Sequence, residues 1–440
     1  MTSREFLIAI ALGLMVRVAT LPLQGHDDVA AWKIWSYAAA GDVTAVYGVG
    51  GTPPTRGIVT WRDQSTTVNY PPLFLYEYAA IGRLYGALFP GFPDTPALLI
   101  ALKLPILFAG LGLTTLLFVV VRRVSGRDEP AQWAALAYWL NPATIVGGEM
   151  LGYVDALCFL PAIAGLALAY FNRPVWGGVL VALAVATKPQ GLLIGPAFAV
   201  AVWQAGRLPA LARAGAAFAA TLALVTLPFF LRGALPNMWL AFASFDSRRD
   251  TLSAYAANIG WIVNWALRGW FGVAESGLKA FLQPVPRPLS VSRVVELGFP
   301  NPKPIGRAAV IAATAWAMWR VARKRDLAAT AALGAFTTHA FFVMATGVHE
   351  HLQLLEVPLL VLAAALCPAL RPLLFVVSAI VTLNIGYVNV HWGSIFRPGL
   401  TGIDFCVLLA FVNVGTFVWF GRRLFSGVTS ERDIQQWPPA

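Results

Sequence analysis

Apolar residues in this chain fall into long runs separated by short polar and basic stretches. A helix needs roughly 20 such residues to cross a bilayer. Residues 6–23, 96–121, 132–146, 154–171, 211–231, 304–319, 327–346, 352–366, 372–390 and 400–420 reach or approach that length. Two further runs, 175–186 and 192–203, are too short to cross at about 1.5 Å per residue. They flank Thr187-Lys188-Pro189-Gln190 and predict a broken hairpin with Lys188 near its outer tip. Irregular backbone at membrane depth survives only where it lines a cavity.

Basic residues orient these runs. Arg4, the Arg122, Arg123 and Arg127 group, Arg173, Arg207, Arg213, Arg371 and Arg422-Arg423 lie at run ends that read as cytoplasmic. Arg320, Arg323, Lys324 and Arg325 give the strongest such signal. The signs agree only if residues 71–88 do not cross. That segment opens with Pro71-Pro72 and carries Glu77, Arg83, Tyr76, Tyr78 and Tyr85, as an interfacial helix would. Two long outer loops follow, 24–95 and 232–303. The expectation is an all-α polytopic protein, one membrane domain over 1–440, with about 10–13 transmembrane or re-entrant helices.

Composition agrees. Of 440 residues, 58% are hydrophobic and 12% charged, against about 25% charged in a soluble domain. The first run is too long for a signal peptide and lacks a small-residue cleavage site, so it reads as a spanning helix. The net charge of +11 comes from residues scattered around the spans, which argues against a nucleic-acid partner. Cys158, Cys367 and Cys406 lie inside apolar runs and read as small core residues.

Candidate chemistry gathers on the outer side. Gly25-His26-Asp27-Asp28 follows the first span directly, and ionisable groups beside hydrocarbon are functional candidates. Trp32 and Trp35 lie at i+4 and i+7 from Asp28, on one helical face. That face is expected to lie flat in the interface, rings in the headgroup zone and carboxylates towards water. Asp27 and Asp28 offer a general base and are the catalytic candidates; a helix N-cap suits Asp too, and both roles hold at once with Asp27 capping and Asp28 working. Lys188, Arg248 and Arg249 suit an anionic group such as a phosphate. Asp155 suits an N-cap or a substrate contact. His349-Glu350-His351 lacks the i, i+4 spacing of a zinc helix, and residues two apart on a helix face different sides. His349 and Glu350 therefore read as substrate contacts, and no metal site is expected.

As a set these stretches resemble the GT-C superfamily, membrane glycosyltransferases that use polyprenyl-phosphate-linked sugars. The family has Gly-Asp followed by an aromatic residue and Trp on one face; Asp28, Trp32 and Trp35 keep that spacing. Its Asp-Tyr-Pro-Pro is Asn69-Tyr70-Pro71-Pro72 here, and its Trp-Gly-Gln-x-Asp survives only as Gly152 and Asp155. Lys188-Pro189-Gln190, Ala257-Asn258 with Trp261, and His349-Glu350 look like the family's own.

The resemblance implies that Asp28 is the catalytic base of an inverting transfer. A hexose of mannose or glucose type would pass from a polyprenyl-phosphate donor to a hydroxyl of a lipid or glycan acceptor. The side would be periplasmic or extracellular, on a bacterial cell membrane. Lys188, Gln190, Arg248, Arg249, His349, Glu350, Asn69, Tyr70, Asp155, Asn258 and Trp32 would contact substrate or phosphate. Asn69 in place of Asp removes one carboxylate. A divalent cation is compatible with such a reaction and not demanded by it. Two alternatives stay open: a transporter or flippase of a lipid-linked or anionic solute, since a broken hairpin with a charged tip is also a transporter feature, and a lipid-linked oligosaccharide ligase or polymerase.

Overall fold

The computed structural model describes residues 2–50, 56–248, 250–271, 288–389 and 404–425, without the side chains of 244–248, 271 and 425. It is mostly helical, at 77%. In chain order the first helices are α1 (Ser3–Thr20), α2 (Asp28–Asp42), α3 (Pro72–Leu88), α4 (Pro96–Ser125), α5 (Asp128–Trp139), α6 (Pro142–Ile145), α7 (Asp155–Tyr170), α8 (Pro174–Thr187) and α9 (Gly195–Leu231). There follow α10 (Leu235–Arg248), α11 (Ile259–Phe271), α12 (Val291–Glu296), α13 (Pro302–Val321), α14 (Leu327–Met344), α15 (Glu356–Leu366), α16 (Arg371–Val388) and α17 (Phe405–Phe425).

Among the described residues five stretches are long and apolar enough to cross a membrane: Pro96–Ser125, Pro189–Leu231, Leu327–Met344, Pro368–Val388 and Phe405–Leu424. The protein is therefore a helical polytopic membrane protein. Its first helix shows the same environment from the side chains. On α1, Leu7 and Met15 are 64% and 59% exposed, whereas Arg17 is 1% exposed. An apolar exterior around a buried charge is the arrangement that hydrocarbon, not water, favours.

Several expected spans are differently built. The run 132–146 is interrupted: α5 ends at Trp139, Asn141 caps α6 by accepting from Ala143 N at 3.0 Å, and a π-helical turn covers Val146–Met150. The run 352–366 is a 3-10 turn, Glu350–Gln353, then the short α15. The break predicted around Lys188 is present, and α9 breaks a second time where Gly206 and Arg207 leave helical geometry. Residues 390–403, which hold the expected start of the last span, lie outside the described residues.

The chain folds as two compact units. The first comprises Met1–Leu116, Gly148–Phe198 and Ala205–Arg248. It contains the segment 24–95, expected as an outer loop, which holds α2, α3 and an antiparallel hairpin that the sequence pattern did not signal. Strands Ile58–Trp61 (β1) and Gln64–Thr67 (β2) pair Ile58 with Thr67 and Trp61 with Gln64. The turn at Arg62-Asp63 lacks the usual Asn-Gly or Asp-Gly signature, yet Arg62 takes φ 55°. Helix α3 lies where residues 71–88 were expected to form a helix. It packs hard on α2 at Gly82, where a Cβ would lie 2.2 Å from the Ser36 carbonyl oxygen.

The second unit comprises Leu117–Gly147, Ala199–Gln204 and Arg249–Ala440. Its centre is α14, 89% of which is buried. A polar network crosses that centre. His339 Nδ1 lies 2.8 Å from Glu356 Oε1, Gln353 Nε2 donates to Glu356 Oε2 at 2.9 Å, and Asn413 Nδ2 donates to Gln353 Oε1 at 3.1 Å and to Ala257 O at 2.9 Å. All four side-chain bearers are fully buried, so the network satisfies groups that would otherwise be costly.

The Gly82 contact gives a test. Gly82→Val should push α2 off α3 and lower thermal stability in detergent by about 1–3 kcal/mol, the usual cost of overpacking. Gly41→Ala, with nothing within 4 Å of its Cβ, should leave the unfolding temperature unchanged or slightly raised.

Candidate functional site

The chain leaves α1 and turns at Gly25, φ 82°, where a Cβ would lie 2.6 Å from the Leu151 carbonyl oxygen. Only glycine fits both the conformation and the approach. His26 N donates to Leu151 O at 2.9 Å, its ring stacks on Tyr153 at 4.0 Å, and it meets the Trp32 ring edge-on at 4.9 Å. The segment leading into α2 is thus tied to the segment leading into α7.

Asp28 opens α2 with its side chain 60% exposed. Its backbone N–H donates to His26 Nδ1 at 3.2 Å, and its Oδ2 lies 3.7 Å from the same nitrogen. One nitrogen cannot accept from the amide and donate to the carboxylate. The closer contact is the amide. Asp27 occupies the N-cap position but makes no side-chain cap bond and keeps helical angles, so the expected capping role is not found.

Trp32 and Trp35 correct the expectation of an exposed interfacial face. They are 1% and 3% exposed. Instead of facing headgroups they pack against Tyr70 and Phe74 at 5.5–6.3 Å between ring centres, and Trp32 also against Tyr78. The helical periodicity is as read; the surface it meets is α3 and its preceding loop.

Beyond Tyr70 lies the broken hairpin. Lys188 stops α8 in an extended conformation, and Pro189 starts the 3-10 turn Pro189–Ile194. Lys188 Nζ lies 5.9 Å from the Tyr70 ring centre and 2.8 Å from Asp155 Oδ2. Both charged side chains are buried, and they neutralise each other. Asp155 is not the N-cap of α7, a position taken by Val154; its carboxylate serves Lys188 instead. Around this pair, Trp32 Nε1, Trp35 Nε1, Asn69 Oδ1, Asp155 Oδ1 and both amide atoms of Gln190 are buried without a partner among the described residues. Each such atom costs about 1–3 kcal/mol.

Three charged residues of the first unit were passed over in the sequence. Arg17 pairs with Glu149, both buried, and Lys103 Nζ donates to the carbonyls of Leu23 at 2.6 Å and Met150 at 2.9 Å. Glu149 and Met150 belong to the π-helical turn, a feature common at functional sites. Lys103 therefore joins the backbone before Asp28 to the backbone before Asp155. An isolated lysine inside the apolar run 96–121 was the available signal.

The remaining candidates divide otherwise. Arg248 ends α10 with its side chain outside the described residues, and Arg249 lies outside them altogether. In the second unit Asn258 is engaged by the fold: Oδ1 accepts from Trp261 N at 3.0 Å and Nδ2 donates to Phe342 O at 3.1 Å. His349 precedes the 3-10 turn in an extended conformation. Residues two apart there do not diverge as on a helix. His349 Nδ1 and His351 Nδ1 lie 3.8 Å and 3.3 Å from the two oxygens of the buried Glu350. Among the described residues no group of three His, Cys, Asp or Glu is set to hold a metal ion.

No family model matches this sequence. No curated protein matches it either.

The Lys188–Asp155 pair should behave as a coupled unit. Lys188→Met or Asp155→Leu alone leaves a buried charge and should cost about 3–5 kcal/mol in detergent unfolding. The double variant should recover most of that loss, which a double-mutant cycle measures.

Proposed function

We propose that the protein is a membrane glycosyltransferase of the GT-C type. It would move a hexose from a polyprenyl-phosphate donor to a hydroxyl on the outer face of the membrane. The observation that carries this reading is the arrangement within the first unit. An exposed carboxylate, Asp28, stands beside buried aromatic rings and unpartnered neutral polar atoms, with the Lys188–Asp155 pair against Tyr70.

In this reaction Asp28 takes the proton of the acceptor hydroxyl as the oxygen attacks the anomeric carbon. The bond from that carbon to the phosphate oxygen breaks on the opposite face, and polyprenyl phosphate leaves as an anion. Configuration inverts. Asn69 leaves Asp28 without a second carboxylate at that position, so one base acts alone. Lys188, as a point charge, and Arg248 would meet the charge that develops on the phosphate. The engagement of Lys188 by Asp155 means that a phosphate shares this lysine with a carboxylate.

Purified protein given labelled polyprenyl-phosphate hexose in detergent should release polyprenyl phosphate. Asp28→Asn should slow release by about 10²–10⁴-fold, the span of general-base effects. Asp27→Asn should change it little. Release unchanged in Asp28→Asn removes the base assignment, and solute uptake into liposomes without bond cleavage replaces the reading with transport.

A further inference from the structure

Helix α3 presents two faces. Phe74 and Tyr78 meet Trp32 and Trp35 on the site side. Glu77 and Ile81 turn elsewhere and line a cavity of about 490 Å³ with Pro105, Phe108, Ala109, Leu157 and Leu160. The walls come from α3, α4 and α7, and Glu77 is their sole ionisable side chain. Phe108 is 64% exposed and belongs to a stretch apolar enough to cross the membrane. A cavity with so apolar a rim, on a helix apolar enough to cross the membrane, suits an apolar chain.

The same two turns of α7 face both ways. Leu157 and Leu160 line the cavity, whereas Asp155 holds Lys188 and Cys158 Sγ donates to Lys188 O at 3.7 Å. The cavity and the Lys188–Asp155 pair therefore share α7 as a common wall.

Glu77 decides which lipid fits. Its Oε2 is buried and has no partner among the described residues. Burial pushes its carboxyl up to about 7. Whether protonated or ionised, it can hydrogen-bond a hydroxyl group, and in its ionised form it repels a phosphate. We propose that this cavity seats the apolar chain of a neutral, hydroxyl-bearing membrane lipid whose hydroxyl hydrogen-bonds Glu77. Resting on the glycosyltransferase reading, this lipid class supplies the acceptor, and the anionic donor lipid does not use this cavity.

The test uses the full chain in nanodiscs with two probes that carry the same photoreactive acyl chain. One is a diacylglycerol, the other a phosphatidic acid. Crosslinked peptides are then mapped by mass spectrometry. The diacylglycerol probe should label the segments holding Phe108 and Leu157–Leu160 at least about fivefold more than the phosphatidic acid probe, the value of one buried hydrogen bond. Glu77→Leu should erase that preference. Ala109→Trp and, separately, Ile81→Trp should block labelling of these segments while the unfolding temperature stays within a few degrees of the parent. Equal labelling by both probes, or labelling untouched by both tryptophans, overturns the proposal. Labelling needs no turnover. If it holds while the sugar-transfer assay fails, the lipid site stands and only the transferase reading falls.

Discussion

A charge placed among apolar helices must find its partner inside the protein, because hydrocarbon offers none. That constraint organises both units. In the first, Arg17 meets Glu149, Lys188 meets Asp155, and Lys103 meets the carbonyls of Leu23 and Met150. In the second, His339 meets Glu356 through a network that also holds Gln353 and Asn413. Buried pairs of this kind add little net stability compared with well-packed apolar residues. What they do supply is specificity. Each joins segments far apart in the chain, as Arg17 and Glu149 are by 132 positions.

The candidate site follows from that joining. Asp28 is exposed, yet its position is set by buried neighbours: Gly25 against Leu151, His26 against Tyr153, and Lys103 beneath both approaches. The aromatic residues of α2 and α3 then form the wall that ends at Lys188. That wall leaves several buried polar atoms unmet among the described residues, where a core leaves few.

Much of this was legible in the residues. The long apolar runs, the helix within 71–88, the break at Lys188-Pro189 and the alignment of Trp32 with Trp35 all follow from composition, proline chemistry and helical period. Other features were not. The β-hairpin has strands of four residues each and a turn without the expected glycine, so local pattern could not announce it. The Gln132 run broke because Asn141 and Pro142 start a new helix inside it, a local signal outweighed by the apolarity around it. His349 and His351 share Glu350 only because the backbone there is extended and then 3-10.

Sequence alone therefore determined the medium and the ingredients: helices in lipid, with carboxylates, tryptophans and one hairpin lysine at the ends of apolar runs. Tertiary structure decided the pairings. It made Trp32 a wall residue instead of a headgroup anchor, gave Lys188 to Asp155, and recruited Arg17, Lys103 and Glu149. The physical reason is that an isolated charge in an apolar run states that a partner is needed but not which one. That choice depends on which distant helices become neighbours, and side-chain packing settles it.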